Sequence, residues 1–184
     1  KTGLATGEWA FIDQSAFLGQ LGVAATSHRE PMTAGIAEKG TVVVGSNNDA
    51  EKANLAMAQQ GVQLFNEHKL DEWAAQRSDD YVFTDQSIPK DLTKKELTDS
   101  LGAAWKTFSD MKLEVAGEFA AGEYVVTVGQ LTGTNDGDMG GQKATGKSVK
   151  VKVLTISHVK DGKFDKGWRF WNSLAFPMQL GLMK

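Results

Sequence analysis

The sequence predicts an α+β domain in which helices come first and an antiparallel sheet comes after them. Three observations predict it. Apolar residues recur every three or four positions from Asp49 to about Phe108, the spacing of one helix face. From Met111 to Ser173 the period becomes two, as strands require. Two of the β runs meet at Asp161-Gly162, a strong short-range hairpin signal. Helices succeeded by strands place the helices together on one face of a sheet.

Asp49 is a plausible cap for a first helix, with Leu55, Ala58, Val62 and Phe65 on its inner face. Asn66-Glu-His68 ends it, and Asp71 can cap a short helix carrying Trp73. Tyr81–Asp85 is a short strand, with a loop after it through Pro89. Thr93-Lys-Lys-Glu96 is a capping box. It opens a helix facing inward with Leu97, Leu101, Trp105 and Phe108. Met111–Ala120 and Glu123–Thr134 are strands joined at Ala121-Gly122. Ser148–Val159 and Phe164–Ser173 form the last hairpin.

The stretch from Trp9 to Gly22 is echoed by Trp168 to Gly181, with seven of fourteen positions identical without a gap. Unrelated pairing at ordinary composition would give about one. The chain thus divides into an arm and linker, residues 1–48, and a complete domain, residues 49–184. The linker region is rich in Ala, Thr, Gly and Ser, with one extended run at Thr41–Val44. The echo fits the tail of a preceding tandem domain, or an extra strand donated to this or a partner's sheet.

Composition narrows the function classes. A net charge of -3 offers no bulk attraction to nucleic acid or an anionic membrane. No apolar run approaches the roughly 20 residues of a membrane span. Without cysteine there is no thiol chemistry, and three dispersed histidines make no metal-ligand pattern. The expectation is a domain with no metal, no cofactor, no nucleic-acid partner and no membrane partner.

Two-residue turns fix which side of the ribbons is dry. In the last hairpin Phe170 falls opposite Val153, Trp168 opposite Thr155 and Asn172 opposite Val151. The expected inner face therefore holds Val149, Val151, Val153, Trp168, Phe170 and Asn172. Arg169 and Trp171 fall outside, with Lys150, Lys152, Leu154 and Ile156. In the earlier hairpin the apolar face collects Met111, Leu113, Val115, Phe119, Tyr124, Val126, Val128 and Gln130. Tyr81, Phe83 and Asp85 share a side. Asp85, Gln130 and Asn172 thus sit among apolar neighbours, where an unpartnered polar group costs about 1–3 kcal/mol. Each is either paired structurally or lines a cavity, the usual form of a small-molecule site.

The ordered set Phe65-Asn66, Leu70-Asp71, Asp79-Asp-Tyr-Val-Phe83, Phe108-Ser-Asp110, Gly122-Glu-Tyr-Val125, Leu131-Thr-Gly-Thr134, Thr145-Gly-Lys147, Asp161-Gly-Lys163 and Gln179-Leu-Gly181 resembles the SnoaL-like polyketide cyclases. These belong to the nuclear-transport-factor-2-like superfamily. The resemblance implies a cone: a curved antiparallel sheet with helices packed on its concave side. It also implies a cofactor-free acid–base aldol closure, carried by an Asp in a Trp-x-x-x-Asp pattern. Here that pattern reads Trp168-Arg-Phe-Trp-Asn172. The position of the acid is an amide, which has no ionisable proton for general acid–base work. The arm keeps an acid at the echoed position, Asp13.

Two functions remain open. In one, Asp85 takes a proton as a base whose pKa is raised by burial. Asn172 and Gln130 then hold an oxyanion, and Phe83, Trp105, Trp168 and Phe170 line the substrate pocket. In the other, the domain shelters a hydrophobic small molecule without catalysis. Phe65 and Phe108 read as plain core. His158 reads as a surface partner of Asp165, and Gly133–Gly141 as a lid over the mouth. The half-apolar outer sheet face suggests a homodimer.

Overall fold

In a computed structural model, the structure describes residue 8, residues 10–23, residue 29 and residues 42–183. Trp9 of the echo and nearly all of the 24–41 linker lie outside the described residues.

Helix α1 (Gln14–Gln20) belongs to the arm. The domain then runs α2 (Asp49–Asn66), α3 (Leu70–Ala75), β1 (Arg77–Asp85), β2 (Leu92–Thr93), α4 (Lys94–Thr107), β3 (Lys112–Ala121), β4 (Tyr124–Thr134), β5 (Ser148–Lys160), β6 (Lys163–Trp171) and α5 (Ala175–Leu180). The strands form one sheet in the order β2-β1-β6-β5-β4-β3. All neighbours are antiparallel except β1 and β6, which run parallel. That parallel pair departs from the wholly antiparallel expectation. It needs no special turn, because α4, β3, β4 and β5 intervene between its strands.

Local chemistry sets the helix starts. Asn48, not Asp49, caps α2: its side chain accepts from the Glu51 N–H, and Glu51 reaches back to the Asn48 N–H. The buried Glu51 carboxylate also accepts from the Ser46 and Gly122 N–H groups, at 2.9 and 2.8 Å. Those bonds, led by Gly122, hold its pKa below the ordinary value against the pull of desolvation. They tie the start of α2 to the β3–β4 turn. The Thr93–Glu96 capping box opens α4. Asp71 does not cap α3; Lys69 occupies that position without a side-chain bond. Asp71 lies in the first helical turn instead, where a negative charge suits the helix N-terminus.

Two single-residue bulges decide which side chains face the helices. Lys160 pairs with Lys163, as the two-residue turn at Asp161-Gly162 requires, and both turn residues adopt positive φ. The register then slips. Val159 pairs with Phe164, but His158 pairs with Lys166, leaving Asp165 as the extra residue. Its carboxylate sits 2.5 Å from His158 Nδ1. Beyond a bulge every side chain changes face. Arg169 and Trp171 therefore turn inward, opposite Thr155 and Val153, while Trp168 and Phe170 turn outward, opposite Ile156 and Leu154. This reverses the faces expected for β6. The second bulge, at Ala116, leaves Leu113 and the exposed Val115 on the inner face and puts the half-exposed Phe119 on the outer one.

Strand β4 is also inverted relative to expectation. Its inner row is Val125, Thr127, Gly129 and Leu131, and Tyr124, Val126, Val128 and Gln130 face out. The inner row is small where other backbone comes close. A Cβ at Gly129 would lie 3.0 Å from Leu113 Cδ1 and tighter still against the Glu114 carbonyl.

Packing gathers in two clusters. One joins Ala58, Tyr81, Phe83, Leu97, Val125, Val159 and Phe164. The other joins Trp105, Phe108, Met111, Val149 and Leu180.

The arm docks at the end of β6. Asn172 Nδ2 donates to Gln14 Oε1 at 3.1 Å, and Ser173 Oγ donates to Asp13 Oδ1 at 2.7 Å. Helices α1 and α5 are the two copies of the echo, and a left-handed glycine comes after each, Gly22 and Gly181.

Candidate functional site

The inner side of the sheet and helices α2, α3, α4 and α5 enclose a cavity of about 720 Å³. That lies within the size range of small-molecule sites, about 300–1,000 Å³. Its wall is mostly apolar. Phe65, Trp73, Phe83, Phe108, Trp171 and Phe176 supply rings. Phe176 of α5 is edge-on to both Phe108 and Trp171, with centroids 5.5 and 5.3 Å apart. Asp138, Met139 and Gly140 of the β4–β5 loop border the space. The root of that loop is held by buried Asn135, which accepts from Thr145 N–H at 2.8 Å and donates to the Gly137 carbonyl at 2.8 Å.

One polar network backs this wall. Asp85 ends β1 with its side chain fully buried. Its Oδ1 accepts from Ser87 N–H at 2.8 Å, Ser87 Oγ at 2.7 Å and Trp171 Nε1 at 3.2 Å. Its Oδ2 accepts from Arg169 Nε at 2.5 Å. Burial pushes the carboxyl pKa up, but the Arg169 charge and the Ser87 and Arg169 hydrogen bonds together outweigh it. The net direction is down. The acid–base reading of Asp85 called for a raised pKa; the bulge that turns Arg169 inward gives the carboxyl a cationic partner and the opposite direction.

Arg169 lines the cavity. Its guanidinium carbon lies 4.8 Å from the Trp171 ring centroid and 5.3 Å from that of Phe83. Arg77 opens β1 and is buried. Its guanidinium lies flat against Trp73, 3.1 Å from the ring centroid, and Nη1 donates to the Trp73 carbonyl at 2.5 Å. Burial lowers its pKa to about 10, with hydrogen-bonded Tyr81 opposing. Tyr81 moves the other way: burial raises the phenol, against the charges of Arg77 and Arg169. Gly167 makes room for this stack. A Cβ there would overlap the Tyr81 hydroxyl and lie 3.1 Å from Phe83.

The other candidates fall in different places. Phe83 lines the cavity. Trp168 borders it too, although strand pairing puts its ring on the outer side with Ile156. Phe170 is on the outer face against Leu154, and Gln130 is outside between Glu114 and Lys152. Neither contributes to the wall. Asn172 lies beyond β6, not on the cavity; its Nδ2 is bonded to the arm, and its Oδ1 is buried with no hydrogen-bond partner. Trp105 packs behind the wall. It stacks on His68 with centroids 4.6 Å apart and meets Phe65 edge-on. Phe65 and Phe108, expected as plain core, line the cavity.

Arg77, Arg169 and Trp171 were not among the residues expected at the site. A signal for two of them was present. The chain has three arginines, and the two within the domain both line the cavity. An acid on a buried face needs a cationic partner, and Arg169 is the one arginine C-terminal to Asp85. Among the described residues, no three His, Asp or Glu side chains gather as a metal site would require. Nor is any described helix long and apolar enough to cross a membrane.

Comparison with known proteins places this architecture. The chain is similar in structure to AclR from Streptomyces galilaeus, for which a hydroxylase role is suggested. The TM-score is 0.67 at 22% identity, covering 73% of this chain and 99% of AclR. It is similar to IdmH from Streptomyces antibioticus, suggested to be a polyketide cyclase, with a TM-score of 0.62 at 19% identity over 70% of this chain and 98% of IdmH. A SnoaL-like protein from Jannaschia gives 0.65 at 19% identity, over 77% of this chain and 100% of that one. These likenesses show a shared fold of the nuclear-transport-factor-2-like kind. No curated protein matches the sequence. The family model of the SnoaL-like polyketide cyclases matches residues 56–180, well over half the chain, and the chain belongs to that family.

Proposed function

We propose that this member of the family is a small-molecule-binding cone that encloses an apolar ligand without transforming it. One observation carries the reading: among the described residues, no buried carboxylate or imidazole is free to exchange a proton with a molecule in the cavity, and the one acid on the wall, Asp138, stands exposed in the β4–β5 loop. Asp85 is consumed by four donors. His68 Nε2 is 3.0 Å from the Met111 carbonyl, and its ring is covered by Trp105. Asp138, the one acid on the described wall, is held by Lys143 and the Ala144 N–H. General acid–base catalysis requires a group within hydrogen-bond reach of the substrate that can change protonation state. An apolar wall with a few fixed donors needs only to bind.

A second reading, cofactor-free cyclisation of a polyketide-like substrate, draws support from family membership and from Arg169, a donor held by buried Asp85 where it could stabilise an enolate oxygen. A thermal-shift screen of hydrophobic small molecules, with native mass spectrometry of the hits, tests the binding reading. Ligands that raise the melting temperature and are recovered unchanged support it. Their conversion to an isomer would establish the second reading instead. A screen in which no ligand raises the melting temperature would remove the first.

The outer sheet face carries Val126, Val128, Leu154, Ile156, Trp168 and Phe170 together. We propose that a second copy of the chain covers this row of half-buried apolar side chains, since an apolar surface row of this kind marks an interaction site.

A further inference from the structure

The ionic side chains on the cavity wall are Arg77, Lys106, Asp138 and Arg169. Asp138 is exposed and already paired with Lys143. Asp85 stands behind the wall and faces Arg169 through one of that residue's three guanidinium nitrogens. Among the described residues, no protein acceptor engages the two terminal nitrogens of Arg169, and no carboxylate pairs with Arg77. A guanidinium withdrawn from water without a counter-charge is costly, and Arg77 is 8% exposed. The cavity thus combines aromatic walls, an excess of positive charge, and an arginine fork whose orientation is fixed from behind. Such a fork matches a planar carboxylate in a two-pronged arrangement.

Resting on the binding reading, we propose that the natural ligand is an aromatic carboxylate. Its ring system lies among the aromatic side chains, its carboxylate accepts from the terminal nitrogens of Arg169, and Arg77 supplies the remaining positive charge of the chamber. Asp85 acts as a positioning residue: it holds Nε so that the open edge of the fork faces the ligand.

Isothermal titration at pH 7 with matched pairs tests this on the unmodified chain: the carboxylates and primary carboxamides of naphthalene, anthracene and pyrene. The two members of each pair differ little in shape and fully in charge. For at least one ring system the acid binds about ten- to a hundredfold more tightly than the amide, the gain expected when the acceptor facing the guanidinium is a carboxylate rather than a neutral carbonyl. Acid and amide binding equally would overturn the carboxylate assignment and leave the binding reading intact. Absence of binding by every compound would overturn both. The double variant Asp85→Asn/Arg169→Gln removes the ion pair as a unit and so leaves no buried charge alone. In it the preference for the acid shrinks to about threefold or less. A preference that survived in the folded double variant would place the anion elsewhere and overturn the role of Arg169. Circular dichroism checks folding, and the unmodified protein decides the charge question by itself.

Discussion

Replacing Asp85 with Asn alone probes the network on which the site is built. The carboxylate is fully buried and takes four hydrogen bonds, three at one oxygen and one at the other. An amide offers one acceptor oxygen. If that oxygen keeps Ser87 and Trp171, the NH₂ group is left facing the Arg169 Nε–H, donor against donor. Removing one member of a buried pair costs about 3–5 kcal/mol. For a domain of this size that is about 10 °C in melting temperature. Guanidinium unfolding of both proteins, repeated from pH 7 to pH 2.5, measures the difference. The sign with pH comes from the carboxyl titrating lower in the folded chain than in the unfolded one. The pair therefore contributes fully above the unfolded value of about 3.9. Its contribution fades as pH falls through the folded value. The gap between the two proteins stays constant from pH 7 to about 5 and narrows below about 4. A loss smaller than about 1 kcal/mol at pH 7, or a gap unchanged in acid, would refute a dry, ionised pair.

Other perturbations read other parts of the structure. Gly167→Ala pushes a methyl into Tyr81 and Phe83 and should cost about 1–3 kcal/mol, the usual range for overpacking; it should also weaken ligand binding, and unchanged titrations would count against a site under that stack. Asn172→Asp restores the family's acid but places it beside Asp13 and away from the cavity. It should confer no cyclisation, seen by mass spectrometry of added polyketide-like substrates, and should speed proteolytic cleavage of the arm. Trp105→Ala should destabilise by about 3–5 kcal/mol, with ligand affinity unchanged in the folded fraction, because Trp105 packs behind the wall. Light scattering should give the mass of a dimer, and Leu154→Glu on the outer face should halve it.

The elements were legible where a local signal fixed them. The Thr93–Glu96 box opens α4, and the positive φ values at Asp161 and Gly162 close the last hairpin. The facing of the strands was not legible. A bulge adds one residue without any strong composition signal, and Asp165 and Ala116 each invert the facing of the residues beyond them. Polarity could not correct the error. On β4 the outer row of Tyr124, Val126, Val128 and Gln130 is as apolar as the inner row of Val125, Thr127, Gly129 and Leu131, and Gly129 stays bare because the β3 backbone at Glu114 comes close. Asp85 lay on the expected side with Tyr81 and Phe83 because no bulge separates these three. Its pairing was not legible, because its partner, Arg169, was assigned to the opposite face.

The arm's docking has a consequence for assembly. Along the repeated stretch, position 13 corresponds to 172 and position 14 to 173. The observed bonds join 13 to 173 and 14 to 172, and the Ser173 hydroxyl also donates to Ser15 Oγ at 2.8 Å. Exchanging the labels of the two stretches returns the first two bonds and not the third, because position 15 corresponds to Leu174. The two copies are therefore not interchangeable at this contact: a second tail laid where the arm lies would forfeit the Ser15 hydroxyl.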